Sequence, residues 1–269
     1  SVIRYNNNLI IEINNKFISL LTARNLLMKQ SILNNYLIPI GINSENEIEE
    51  IDISRDGNLL LIGKENVGIR NFIYYFICSL FMKISIANYE FTLYDDTNSF
   101  SHLILFKEVN GGNILEYLNN VIKEIDERIK NIKNHHAENI NEFNKNQELE
   151  GNQILKRKII ILNYVDNDNQ KLIEDKIMYI IQMGRICGVS IIIICRDVNI
   201  ISSIILSIVK IKLIFKLKDV KDSMKILNDS RATNLDNKGE VIYFNKDKQI
   251  RVQTPLISEN EINKIIKAF

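Results

Sequence analysis

The chain reads as a doubly wound α/β protein, with a mostly parallel central sheet covered by helices on both faces. Two observations predict this. From Asp52 onward, short runs of almost pure Ile, Leu and Val alternate with longer amphipathic stretches, and strands without polar alternation are those buried on both faces. The first of these runs leads straight into Gly63 and Gly68 and then a helical pattern, the spacing of a strand that turns into a helix around an anion.

Taken in order, residues 9–20 alternate loosely as a strand and turn, and 23–33 have the spacing of a short helix stopped by Asn34 and Asn35. Apolar runs predict strands at 59–62, 91–94, 159–162, 190–194 and 213–217, with helices at 70–84, 114–143 and 175–186 between them. The polar stretch 144–153 reads as a surface loop. Residues 241–244 and 249–253 form a hairpin over Asn245-Lys-Asp-Lys248. After Pro255, Ser258-Glu-Asn-Glu261 starts a capped helix with an acidic first turn.

Composition sets the class. A length of 269 residues without a compositional break fits one large core, and 46% hydrophobic with 25% charged residues excludes a disordered chain. A net charge of +1 excludes a protein that holds nucleic acid by a global basic field, while leaving room for a local basic loop. Cys78, Cys187 and Cys195 sit in apolar stretches without paired or ligand-like spacing, which predicts buried thiols in a reducing compartment. The apolar runs 200–208 and 72–81 are too short or too polar to span a bilayer, and the start lacks a basic-then-apolar leader. A cytoplasmic protein without membrane contact from this segment is expected. His135 and His136 have no third ligand nearby, so no metal role is assigned to them.

The segment Asn58-Leu-Leu-Leu-Ile-Gly-Lys-Glu-Asn-Val-Gly-Ile-Arg-Asn71 has the context of a phosphate-binding loop but not its chemistry. A working loop ends Gly-Lys-Ser/Thr, because the lysine neutralises the β and γ phosphates and the hydroxyl holds Mg²⁺. Here Ile69 takes the lysine position and Arg70 the hydroxyl position, leaving Lys64 and Arg70 as the cations able to meet an anion. A second motif should be an apolar strand ending in Asp-Glu, one carboxylate for Mg²⁺ and one for the attacking water. The strand 158–162 ends in Asn163-Tyr164 instead. Asn163 brings no charge, and Tyr164, with an ordinary pKa near 10, is a poor base at neutral pH. Asp166 and Asp168, a few residues on, read as solvated turn residues.

At these two motifs the chain resembles the motor domain of the FtsK/SpoIIIE family of DNA translocases, and the resemblance extends over about residues 9–268. Upstream it rests on Ile11-Glu-Ile-Asn-Asn-Lys16, Ser19-Leu-Leu-Thr-Ala-Arg-Asn-Leu-Leu27 and Pro39-Ile-Gly-Ile42. Downstream it rests on Leu93-Tyr-Asp95, Ile125-Asp-Glu-Arg-Ile-Lys130, Asn139-Ile-Asn-Glu-Phe-Asn144 and Gln182-Met-Gly-Arg-Ile-Cys-Gly188. Asp222-Ser223, Ile226-Leu227, Lys238-Gly-Glu240 and Ile250-Arg-Val-Gln253 complete it. One strand end departs: Ile194-Cys-Arg-Asp-Val198 lacks the glutamine that senses the γ-phosphate in the family.

The resemblance implies a RecA-like P-loop NTPase fold with a C-terminal hairpin and helix, residues 1–38 leading into a motor domain over 39–269. It implies ATP with Mg²⁺ as cofactors and a hexameric ring, of like or unlike subunits, around double-stranded DNA. Both nucleotide motifs, the Walker A and Walker B sequences, are degenerate here, so the expectation is a retained fold with hydrolysis lost. Such a chain would serve as a non-catalytic subunit docked on active partners or DNA. Arg185 is then the candidate to reach a neighbour's nucleotide, and Arg231 and Lys238 the candidates for DNA phosphates. The run Lys210, Lys212, Lys216, Lys218 and Lys221 reads as a solvated face. Two alternatives stay open. One is an active translocase using Lys64 or Arg70 for phosphate and Asp95 or Asp166 for Mg²⁺; the other is a degenerate domain of a type VII secretion motor.

Overall fold

The computed structural model describes residues 2–5, 8–11, 21–28, 36–55, 57–83, 88–97, 99–100, 109–110, 112–163, 168–236, 238–246 and 248–268. Its strands are β1 (Val2–Tyr5), β2 (Asn8–Ile11), β3 (Leu37–Asn43), β4 (Ile48–Asp52), β5 (Leu59–Ile62), β6 (Tyr89–Asp95), β7 (Val109–Asn110), β8 (Arg157–Asn163), β9 (Val189–Cys195), β10 (Ile211–Phe215), β11 (Glu240–Asn245) and β12 (Lys248–Gln253). Its helices are α1 (Ala23–Met28), α2 (Ile69–Lys83), α3 (Ile114–Asn134), α4 (Ile140–Leu149), α5 (Gln170–Cys187), α6 (Ser203–Ile208), α7 (Val220–Leu227) and α8 (Glu259–Ala268).

All four residues of β5 are buried, because helices cover both sides of it. Leu59 and Leu61 face one core, shared with α1, α2 and α8, while Leu60 and Ile62 face a second core built by α3 to α7. This alternation, repeated along each central strand, is why those strands carry no polar side of their own. β5 lies near the middle of a ten-stranded sheet of order β4-β3-β12-β11-β10-β5-β9-β8-β6-β7. The run from β10 to β7 is parallel throughout, and the four strands beyond β10 pair antiparallel. β1 and β2 pair separately as an antiparallel hairpin.

The chain leaves β5 toward β6 on one side and comes back as β10 on the other. The crevice at such a reversal lies outside the carboxyl ends of the strands, which is where open α/β sheets bind ligands. Five strand ends meet there in register, with Ile62 opposite Cys195 and Ile214, and Asn163 opposite Asp95 and Ile194. α2 fixes the loop that opens this crevice. Eleven of its residues are buried, and the Tyr75 hydroxyl donates to the Pro39 carbonyl at 2.7 Å, tying α2 to β3.

The expected parallel strands, hairpin and last helix are all present, and three local expectations are corrected. The helix expected over 114–143 is two helices. His136, at φ +56°, breaks the run, and the Asn139 side chain accepts from the Asn141 and Glu142 N–H groups to start α4. The expected loop over 144–153 is therefore helical as far as Leu149, and Asn144 clips the strand approach beyond α4 by a two-way bond with Leu155, both legs 2.9 Å. Lys212 is not on a solvated face. β10 is covered on both sides, so this lysine is 6% exposed, its ammonium donating to the Val209 carbonyl and lying over the Phe244 ring. Burial pushes its pKa down to about 8.

Candidate functional site: a cationic cleft at the strand ends

β5 ends at Ile62, and the next residues form a tight loop into α2. The Gly63 N–H donates to the Cys195 carbonyl at 3.1 Å and the Lys64 N–H to the Lys216 carbonyl at 3.0 Å, so the loop's first two donors are held by β9 and by the residue after β10. A Cβ on Gly63 would lie 2.6 Å from Phe215 Cβ, so only glycine fits between the strands. Gly68 closes the loop at φ +113°, a conformation natural to glycine, and its open side is pressed against Gly239. The Gly239 N–H donates to the Val67 carbonyl at 2.8 Å. The turn before β11 therefore braces the loop.

Ile69, at the lysine position, is 8% exposed and belongs to the core below the loop. Its Cδ1 and a methyl of Val67 both reach within 3.4 Å of where a Gly63 Cβ would stand. Arg70, at the hydroxyl position, is exposed and lies back along its own helix, Nη2 3.4 Å from the Tyr74 hydroxyl and the guanidinium over the Tyr74 ring at 5.6 Å. Lys64 is exposed, and its ammonium has no hydrogen bond or ion pair to a described residue.

At the end of β8, Asn163 is 1% exposed and its side-chain N–H groups are both committed. Its amide donates to Asp95 Oδ1 at 2.6 Å and to Thr97 Oγ1 at 2.8 Å. Asp95, 4% exposed, also accepts from the Thr97 N–H and hydroxyl on Oδ1 and from the Phe100 N–H on Oδ2. Thr97 Oγ1 lies 2.5 Å from Ser99 Oγ, which accepts from Arg196 Nη2 at 2.7 Å. Arg196 Nη1 in turn donates to Glu65 Oε1 at 3.3 Å. One polar chain thus runs from the loop across the ends of β9, β6 and β8. A Mg²⁺ ion of the kind the family uses does not fit these residues: Arg70 offers no hydroxyl, Asn163 turns N–H donors toward Asp95, and both Asp95 oxygens already accept bonds. Among the described residues, no group of three His, Cys, Asp or Glu side chains could hold a metal.

Above the loop opens a cleft of about 640 Å³. Lys64, Arg70, Arg196 and Lys238 line it, against the carboxylates of Glu65 and Glu259, while Tyr74, Phe100, Ile257 and Ile262 supply an apolar wall. The structure thus brings Gly63, Lys64, Gly68, Ile69 and Arg70 together as one loop and adds Lys238 and Arg196 to it. Arg196 was legible only as the loss of a glutamine; its place at the end of β9 was the signal. Arg231 stands elsewhere. It is 6% exposed, its N–H and Nε donate to Asp229, and Nη2 reaches Gln249 Oε1 at 2.5 Å, so its guanidinium faces inward and not toward a DNA phosphate. Arg185 is exposed near the end of α5, at the amino-terminal edge of the strands, in a small cleft with Arg55, Arg157 and Lys210. Tyr164 and Asp166 lie outside the described residues.

The three cysteines are buried, with burial pushing Cys78 and Cys195 up to about 12 and Cys187 up to about 11, so none is poised as a nucleophile. No described helix is long and apolar enough to cross a membrane.

Strand order, loop position and helix arrangement define a RecA-like P-loop ATPase fold. Comparison with known proteins agrees: the chain aligns at a TM-score of 0.71 and 18% identity with the conjugation coupling protein TcpA of pCW3, covering 88% of this chain and 71% of that one. It aligns at 0.76 and 14% identity with the cytoplasmic domain of the type VII secretion ATPase EccC of Thermomonospora curvata, covering 93% and 34%. In sequence, the chain is similar to the DNA translocase FtsK, 24% identical to that of Streptococcus pneumoniae over 95% of this chain and 22% identical to that of Lactiplantibacillus plantarum over the same share. It spans about a third of the length of these relatives, 36% and 35%. No family model matches it.

Proposed function

We propose that the chain is an FtsK-like motor domain that has lost ATP hydrolysis and works as a non-catalytic subunit beside active partners or DNA. The observation that carries this reading is the bond from Asn163 to Asp95 at 2.6 Å. It puts a neutral donor, already committed, where hydrolysis needs a free carboxylate beside the metal. The burial of Ile69 adds to this, since the charge that should meet the β and γ phosphates is replaced by a core side chain. The loop glycines, the core strands and the packing of α2 are kept while the strand-end groups differ, which fits a fold retained without the reaction.

Arg185 fits a role toward a neighbouring subunit, because it is exposed and far from its own chain's cleft. The sequence relatives are DNA translocases, which favours DNA over a secreted protein as the substrate of the assembly. The test is steady-state ATP turnover with Mg²⁺. No turnover above a buffer blank is expected, and a steady rate that disappears on Lys64→Ala would overturn the reading.

A further inference from the structure

The cleft that no longer fits a metal carries an unusual concentration of positive charge. Lys64 comes from the loop after β5, Arg70 from α2, Arg196 from the end of β9 and Lys238 from the turn before β11. These are four separate elements, converging on one cleft of about 640 Å³ in a protein whose net charge is +1. Two carboxylates share the lining. Glu65 is 72% exposed and held by Arg196 across 3.3 Å, and Glu259 is exposed in the first turn of α8. Lys64 and Lys238 have no carboxylate partner among the described residues.

A phosphate chain bound beside a metal has part of its charge neutralised by that metal. Where the metal is gone, the same neutralisation needs side-chain cations, and guanidinium groups supply it in fixed, two-pronged geometry. Arg70 and Arg196 occupy two of the positions at which the usual polar groups have disappeared. The backbone adds to them, since the loop runs into the start of a 15-residue helix, whose first N–H groups have no partner within the helix. The wall of Tyr74, Phe100, Ile257 and Ile262 offers an apolar surface next to the charged one, which suits a ligand with a flat apolar end.

We propose that this cleft binds a nucleotide phosphate chain without a divalent metal, Lys64, Arg70, Arg196 and Lys238 together taking the metal's electrostatic part. The inference rests on the reading of the chain as a non-hydrolysing member of its fold, and it concerns binding alone.

The experiment is calorimetric titration of the folded protein with ATP and with inorganic triphosphate, each in excess EDTA and again in millimolar Mg²⁺. Binding in EDTA at least as tight as in Mg²⁺ is expected for both. ATP binding more tightly than triphosphate would assign the apolar wall to a nucleoside, and equal affinities would assign the cleft to the phosphate chain alone. Arg196→Gln and Lys238→Ala should each weaken binding in EDTA about tenfold, the order expected for one charge-assisted bond. Glu65→Gln should strengthen it, because a competing carboxylate is removed. These side chains lie at the surface of the cleft, and a circular dichroism melt verifies that each variant is folded. No binding in EDTA by folded protein, or binding that appears only with Mg²⁺, overturns the proposal. Either result leaves the absence of turnover untouched, and turnover, measured separately, would sink the non-hydrolysing reading without deciding whether EDTA abolishes binding.

Discussion

Asn163 and Asp95 show how one side chain commits the end of a strand. With a carboxylamide at the end of β8, Asp95 gains a donor at 2.6 Å and the two strand ends close on each other. Asn163→Asp would remove that donor and set two buried carboxylates against each other. We expect a loss of about 3 kcal/mol in urea unfolding, the order measured when a buried partner of a charge is removed. Millimolar Mg²⁺ should restore part of it in the variant and nothing in the wild type, because a cation can bridge the carboxylates and stabilises only the state that binds it. A variant as stable as the wild type would show that this contact does not hold the strand ends. That an amide and not a carboxylate ends this strand was legible from the sequence. That the amide is locked to Asp95 was not, since the two residues are 68 positions apart and meet only through strand pairing.

At the level of elements, α3 is tied to the sheet by charge as well as by its apolar stripe. Arg128 and Lys158 are nearly buried, and Glu124 bridges them, 2.7 Å from Arg128 Nη2 and 2.6 Å from Lys158 Nζ, with Glu90 on the rim. Burial works against the Glu124 carboxylate, but the bond from Lys158 and the charge of Arg128 outweigh it and hold its pKa below the ordinary 4.5. A folded-state pKa below the unfolded one contributes stability that is present above pH 4.5 and is lost as pH falls through the folded value. Wild type should therefore exceed Glu124→Gln by about 1–3 kcal/mol near neutral pH, and the gap should close as the solution is taken below pH 4.5. A gap independent of pH would assign the effect to packing. The sequence placed Arg128 on a helix and Lys158 on a strand but offered no sign that Glu124 bridges the two. Likewise, the break at His136 was hidden because polar residues continue the helical composition past it, and only the Asn139 cap and the Asn144–Leu155 clip reveal the second helix.

For the whole molecule, the question is what the domain can hold by itself. With Arg231 paired to Asp229 inside the fold, Lys238 is left of the two cations expected to meet a duplex, and a net charge of +1 supplies no general field. Binding of double-stranded DNA by the isolated domain should be weak and independent of sequence. Two or three phosphate contacts would give a slope of log affinity against log salt of roughly −2 to −3, and a ring of subunits would multiply such weak sites. Arg231→Ala should lower the melting temperature and leave the slope unchanged. Tight binding that survives moderate salt, or a slope that falls with Arg231→Ala, would show that a DNA-facing surface lies along that segment.

What the sequence determined by itself is what local chemistry dictates. Short runs of Ile, Leu and Val hide their side chains well in a sheet covered on both faces, and Gly63 and Gly68 mark the loop wherever the chain goes afterwards. The residues at the motif positions, Ile69, Arg70, Asn163 and the arginine after Cys195, were equally open to view. Tertiary structure alone decided which of the charged residues work together. It drew Lys238 to the loop through Gly239, aimed Arg196 across the cleft to Ser99, and turned Arg231 and Lys212 inward. Charge carries no periodicity that fixes its direction, so the side to which a cation points is set by what packs around it.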